Sequence, residues 1–316
     1  MNKEAKRRNP MPLIFAVLLV GYTAFTLLDA FVIPSNVVSA EEAFGTAVPT
    51  TAPSVEESTA ESSEQTPAPT EITVTENSYV GEGISITITT LTRYDTQVYV
   101  ADVVLADASY LKAGLADGVF GRNVSDTTSN IAEENGAVLA INGDYYGFRT
   151  RGFVVRNGYL YRSTAQRGSD NEDLVIYADG SMEVVDESTA DATALLEAGA
   201  VHIFSFGPGL IQDGEITVTS DSEVDQAKQS NPRTAIGIIE PLHYVFVVSD
   251  GRTDESAGLT LIQLAQVMSE LGCQTAYNLD GGGSSTMWFM GEVINNPTNG
   301  RSDGERSVSD IIYIGV

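Results

Sequence analysis

In 316 residues there are only one cysteine and two histidines. Cys273 has no partner for an intrachain disulfide, so the fold must hold without that cross-link. His202 and His243 sit in apolar stretches, with no Cys or second His at zinc-ligand spacing, which argues against a zinc centre. Basic residues are also scarce: 17 Lys and Arg stand against 43 Asp and Glu, for a net charge of −26. A surface that acidic repels nucleic acid and anionic lipid, so nucleic-acid binding is excluded as a function class. Any anionic ligand must then be met by a local cluster of arginines.

What the chain does have is unevenly distributed. Residues 1–12 carry Lys3, Lys6, Arg7 and Arg8, and residues 13–33 are almost wholly apolar. At 1.5 Å per residue, a helix of about twenty residues spans roughly 30 Å, a bilayer core. No Lys or Arg follows until Arg93. That asymmetry predicts a single-pass anchor with the N-terminus cytoplasmic and the remainder outside the cell membrane; a cleaved signal peptide is the competing reading. Residues 34–77, rich in Thr, Ser, Pro and Glu, cannot bury enough apolar area to fold and read as a disordered linker. A globular domain is expected over 78–316.

Within that domain the pattern predicts many hairpins and few helices. Residues 84–91 and 98–105 alternate apolar with polar types around a break at 93–96. Asn157-Gly158 and Asp179-Gly180 each separate two short apolar runs, the signal of a tight hairpin turn. Helices are expected over 125–135, 188–198 and 260–271; the last has Thr260 and Gln263 spaced as a capping box. Further strands are expected over 137–141, 201–206, 234–239, 244–248, 277–279, 287–290 and 310–314. The predicted class is α+β, with mixed, hairpin-rich sheets and a few packed helices.

Chemistry-bearing residues cluster at the ends of these strands. Asp280-Gly281-Gly282-Gly283-Ser284-Ser285-Thr286 follows a strand. Three glycines there allow backbone to approach a ligand closely and could offer a nest of N–H groups to an anion. A glycine-rich turn is the plainer reading. The spacing fits neither Gly-x-Ser-x-Gly nor a Walker loop, which needs a Lys. Asn142-Gly143-Asp144-Tyr145-Tyr146 adds an amide, a carboxylate and two aromatics suited to stacking on sugar. Arg149 and Arg151 follow, a pair suited to forking a phosphate. Arg233 and Thr234 enter a buried strand, Asp250 ends one, and Glu305 and Arg306 precede the last.

Taken in order, Asn142-Gly143-Asp144-Tyr145-Tyr146, Arg233-Thr234-Ala235-Ile236-Gly237, Asp250-Gly251-Arg252, Leu279 to Thr286 and Glu305-Arg306-Ser307-Val308 resemble the phosphodiester glycosidase family. The resemblance covers about residues 80–316. It implies hydrolysis of a sugar-1-phosphodiester at the anomeric C–O bond, with cell-wall or exopolysaccharide phosphodiesters as expected substrates. In that reading Asp280, Glu305 and Asp250 supply the acid–base or nucleophilic carboxylates. Asn142, Asp144, Arg151, Arg233, Thr234, Gly281, Gly282, Gly283, Ser284, Ser285 and Arg306 bind substrate. No cofactor or metal is called for. A non-catalytic glycan-binding module using Tyr145, Tyr146 and Trp288, and a metal-dependent phosphodiesterase, are the alternatives from other classes.

Overall fold

A computed structural model describes residues 11–39, 72–168, 171–219, 222, 230–298 and 303–316. Most of the expected linker, residues 40–71, lies outside the described residues. Its two flanks are paired instead: Ser35–Ser39 runs antiparallel to Val119–Arg122, and Thr73–Thr75 to Ser78–Gly81. A helix covers Met11–Phe31, close to the expected apolar span. Among the described residues, no helix is long and apolar enough to cross a membrane. The end of this helix touches the domain through Asn123, whose amide donates to the Ile33 carbonyl at 3.0 Å.

The domain is α+β and rich in antiparallel sheet, as its hairpin signals require. A nine-stranded sheet runs, in spatial order, Glu215–Ile216, Gly209–Gln212, Thr275–Asn278, Arg233–Glu240, His243–Ser249, Thr96–Leu105, Ile84–Arg93, Ser78–Gly81 and Thr73–Thr75. A second sheet joins Tyr159–Arg162, Val154–Arg156, Ala200–Phe204, Glu172–Tyr177 and Met182–Asp186. A third joins Glu292–Val293, Met287–Phe289, Leu139–Asn142, Asp310–Ile314 and Leu111–Leu115.

Within the strand His243–Ser249, residues 244–248 are all apolar or aromatic because both faces are covered. Tyr244, Phe246 and Val248 point into the main core, where they meet Leu139, Ile141, Ile312 and Ile314 of the third sheet and Leu174, Ile176 and Phe204 of the second. Val245 and Val247 point the other way, onto Leu261, Leu264, Ala265 and Met268 of the helix Leu261–Glu270. That helix begins with the expected capping box: Thr260 accepts from the Gln263 N–H while the Gln263 side chain accepts from the Thr260 N–H. Helix Thr128–Glu134 covers the outer face of the third sheet, and Ala192–Glu197 that of the second. Both helices start later than expected, because Thr127 and Asp191 are the residues whose side chains cap the first turn.

The tight turns also hold. Tyr94 and Asp95, at φ +52° and +53°, close one hairpin; Asn157 and Gly158, at +52° and +80°, close another. Positive φ at both central residues matches the right-handed twist of the flanking strands.

Beneath the second sheet lie two buried carboxyls, Asp173 and Glu187. Burial, then repulsion by Glu187, pushes Asp173 up to about 8. Burial raises Glu187 as well. A carboxyl raised in the folded state is protonated there while the unfolded chain has already lost its proton. The folded protein therefore loses stability as pH rises from about 4 towards 8, by at most about 1.4 kcal/mol per pH unit for this group. Urea melts across that range should show the decline, and Asp173→Asn should flatten it. An unchanged slope in the variant would mean that Asp173 does not carry the effect.

Candidate active site

Adjacent strands in an antiparallel sheet put the exit of one beside the entry of the next. That is how the motif residues, scattered over 164 positions from Asn142 to Arg306, come to one end of the molecule. Asn142 ends its strand in the third sheet, next to the start of Asp310–Ile314. Asn278 pairs with Ala235, so Asp280 leaves the nine-stranded sheet where Arg233 enters it.

Asn142 staples the two sheets together. Its side-chain N–H donates to the Asp280 carbonyl at 2.7 Å. Its oxygen accepts from the Thr234 hydroxyl at 2.7 Å and from the Thr286 N–H at 3.3 Å. Asn142 and Thr234 are fully buried, so they fix the loop rather than face a ligand.

The loop is a tight turn. Gly281 N–H donates to Asp280 Oδ1, Gly282 N–H to the Pro232 carbonyl, Ser284 N–H to the Gly281 carbonyl and Ser285 N–H to the Gly282 carbonyl. Those four amides are satisfied internally and form no open row of donors. The expected anion nest is therefore corrected at Gly281, Gly282 and Ser284, because nearby carbonyls and the Asp280 carboxylate take the N–H groups first. The glycines serve close packing. A side chain on Gly281 would stand 2.9 Å from the Pro232 carbonyl oxygen, and Gly282, at φ +65°, lies under the Arg252 guanidinium. Gly283 contributes its carbonyl, which accepts from the Arg306 N–H at 3.0 Å.

What the loop presents is a three-part centre. Asp280 Oδ2 accepts from the Ser284 hydroxyl at 2.7 Å and from Arg306 Nη2 at 2.8 Å. Arg306 also donates to Ser284 Oγ through Nε at 2.9 Å. Burial raises the Asp280 carboxyl above its ordinary value, while Arg306 and Ser284 pull it back. The centre opens into a pocket of about 350 Å³ lined by Ser125, Asp144, Tyr145, Phe148, Asp280, Arg306, Ser307, Val308 and Ser309. Tyr145 and Phe148 stack at 4.9 Å and form an aromatic wall. Phe148, Ser125 and Ser309 carried no motif signal; they reach the pocket only through tertiary folding.

The other expected site residues are placed differently. Glu305 turns away to the helix Thr128–Glu134, where Ser129 donates to it through both N–H and hydroxyl. Asp250 accepts from Tyr99, Asn295 and Asn296, and burial raises it. Neither lines the pocket. Asp144 reaches the pocket with backbone, but its carboxylate is sealed inside, paired with Arg156 at 2.8 Å. Arg156 also pairs with Asp310 at 2.8 Å, and all three side chains are fully buried. Arg233 is buried below the loop and donates through Nε to the Leu259 carbonyl. Ser285 is buried too. Arg151 lines an adjoining cleft. Tyr146 is core, stacked on Phe120 at 4.9 Å, and Trp288 packs against helix Thr128–Glu134.

Among the described residues, no three His, Cys, Asp or Glu side chains gather as metal ligands. A larger cavity of about 450 Å³ opens beside His202. Burial pushes that ring down to about 3, so it is neutral, and its two nitrogens bond to Asn157 N–H and the Leu111 carbonyl.

The family model for phosphodiester glycosidase matches residues 135–315, which includes every part of this centre. The chain belongs to the phosphodiester glycosidase family. It is 32% identical over 200 residues to an uncharacterised SPbeta prophage-derived protein of Bacillus subtilis, covering 62% of this chain and 30% of that one. It is 26% identical over 228 residues to the N-acetylglucosamine-1-phosphodiester alpha-N-acetylglucosaminidase of Mus musculus, covering 65% of this chain and 43% of that one. The chain thus spans less than half the length of these curated relatives. Among solved structures, the zebrafish N-acetylglucosamine-1-phosphodiester alpha-N-acetylglucosaminidase catalytic domain superposes with TM-score 0.57 at 20% identity, over 74% of this chain and 83% of that one. A hypothetical protein from Synechocystis does so with TM-score 0.54 at 16% identity, over 74% and 62%. At such identities the structural likeness shows the shared fold.

Proposed function

We propose that this phosphodiester glycosidase hydrolyses sugar-1-phosphodiesters at the anomeric C–O bond, releasing a free sugar and a phosphomonoester. The observation that carries it is the Asp280–Ser284–Arg306 centre at the floor of a pocket walled by Tyr145 and Phe148. Phosphate is already a fair leaving group, so a second carboxylic acid is not required, consistent with Glu305 and Asp250 being engaged elsewhere. Asp280 accepts a proton from water as it attacks the anomeric carbon. Electrons from the breaking C–O bond go to the phosphate oxygen, and Arg306, about half exposed to the pocket, stabilises that charge. Tyr145 offers the sugar a stacking face.

An exported location is part of the same reading. It is supported by the basic residues ahead of the apolar stretch and the lack of any Lys or Arg after it until Arg93. Cell-wall or exopolysaccharide phosphodiesters are then the accessible substrates.

The test uses the full chain with UDP-N-acetylglucosamine in heavy-oxygen water. Label in the released sugar supports C–O cleavage; label in the phosphate, with sugar-1-phosphate as product, would overturn it. Arg306→Gln should lower kcat by about a hundredfold, as loss of one preorganised charge donor does. It should change stability little, because the ion pair is partly solvated.

A further inference from the structure

The acidic domain over 78–316 contains one basic stretch. Between Tyr145 and Gly168 there are five arginines and no Asp or Glu. Two of them are structural. Arg156 is sealed with Asp144 and Asp310. Arg162 ties the loop together by donating to the carbonyls of Tyr146, Arg149 and Gly152. The remaining three, Arg149, Arg151 and Arg167, line one cleft of about 330 Å³ with Phe148, Thr150 and Gln166.

This cleft adjoins the Asp280 pocket. Phe148 lines both, and the Arg149 guanidinium lies 5.5 Å from the ring centre of Tyr145 in the pocket wall. Arg149 is oriented by a bond to the Ser205 carbonyl at 3.0 Å, and Arg151 by one to the Ala165 carbonyl at 3.0 Å. Each guanidinium keeps further N–H groups to donate. Among the described residues no carboxylate forms an ion pair with Arg149, Arg151 or Arg167. Arg149 and Arg151 are half-buried and Arg167 exposed, and Glu187 is the carboxyl that acts on Arg149, so the side of the cleft that Arg151 and Arg167 line favours an anion.

We propose that this cleft is a second anion subsite, holding an oxyanion of the substrate other than the phosphate being cleaved. The inference rests on the sugar-1-phosphodiester reading above and narrows its substrate class. The preferred substrate carries repeated negative charge, a second phosphodiester or a uronate carboxylate near the scissile link, so it is a charged glycan rather than an isolated sugar phosphodiester. Thr150 and Gln166 add neutral hydrogen-bonding groups.

The test compares three synthetic substrates with the full chain: a sugar-1-phosphodiester, the same compound extended by a second sugar phosphodiester, and one extended by a uronate. Wild type should favour at least one extended compound by about tenfold or more in kcat/KM, chiefly through KM. In R151Q/R167Q that ratio should fall towards one, R151K/R167K should restore part of it, and added salt should erode it. Equal cleavage of all three by wild type overturns the subsite, as does a preference untouched by R151Q/R167Q. If wild type cleaves none of them, the hydrolase reading fails, and the subsite is judged by binding alone. Calorimetric titration with inorganic pyrophosphate should then show binding that R151Q/R167Q loses; no binding to wild type overturns the subsite as well.

Discussion

Asp280→Asn should reduce sugar-1-phosphodiester hydrolysis by roughly 10²–10⁴-fold, the range expected when a positioned proton acceptor is lost. The fall should be in kcat, with KM nearly unchanged, because the aromatic wall and Arg306 remain to hold the substrate. The substitution keeps the shape of the side chain. Its carbonyl oxygen can still accept from the Gly281 N–H, now 2.9 Å from Oδ1. The Ser284 oxygen already accepts from Arg306 Nε and Nη2, so it can take the new amide N–H only as the half-exposed Arg306 Nη2 turns to water. What disappears is the negative charge that Arg306 now pairs with, and with it the ability to take a proton from water. Arg306 is 45% exposed in its side chain, so water compensates much of the lost pairing, and stability should shift by less than about 1 kcal/mol. Release of phosphomonoester, followed alongside thermal melts, separates the two effects. A variant that melts normally and retains full activity would remove Asp280 from the chemistry and with it the proposed mechanism.

Asp280, Ser284 and Arg306 were readable as candidates because the motif that carries them is local, and because an acidic chain makes each Arg at a strand end conspicuous. Their mutual geometry was not readable. Ser284 is four residues from Asp280 and Arg306 is twenty-six, and only the antiparallel exit of Thr275–Asn278 beside the returning chain joins them. Glu305 shows the converse. Its neighbours in sequence give no hint that Ser129, 176 residues away, captures it at a helix start. The same holds for the Gly282 amide, which looked free because its acceptor, the Pro232 carbonyl, lies fifty residues earlier in the chain, just before the strand Arg233–Glu240. In the fold, turns and caps were legible wherever their cause was local, as at Asn157-Gly158 and Thr260/Gln263. Strands Leu111–Leu115 and Gly209–Gln212 were not. The first contains Lys112 and Gly114, and each is a strand only because of its partners, Asp310–Ile314 and Thr275–Asn278.

The largest effect on stability should come from a residue whose partners the sequence conceals. Arg156 lies between Asp144 and Asp310 with no solvent exposure, and it also donates to the Ile203 carbonyl. One guanidinium from the second sheet thus serves two carboxylates of the third, Asp310 at the start of a strand and Asp144 just beyond the end of its neighbour. Arg156→Met keeps the volume and the apolar stem but leaves those carboxylates facing each other in the core. Removing one partner of a buried ion pair costs about 3–5 kcal/mol, because the stranded charge is still desolvated. The pH dependence identifies the cause. Burial already pushes Asp310 up to about 7, against the pull of Arg156, and loss of the arginine must raise it further. A carboxyl raised in the folded state loses stability as pH climbs above its ordinary value. The deficit of the variant should therefore be greatest near pH 8 and shrink towards pH 5, where the folded state can take up a proton. Urea denaturation at those two values measures it. Adding Asp310→Asn to the variant should recover part of the loss at the higher pH, since it removes one of the two stranded charges. A deficit independent of pH, or below about 1 kcal/mol, would show that the core tolerates the bare carboxylates. The triad also bears on the site. Gly143 N–H donates to the Asp310 carbonyl at 2.9 Å, and Asp280 N–H donates to the Gly143 carbonyl at 3.3 Å. Loosening Asp310 therefore reaches Asp280 through two hydrogen bonds, and Arg156→Met should lower kcat even under conditions where the chain remains folded.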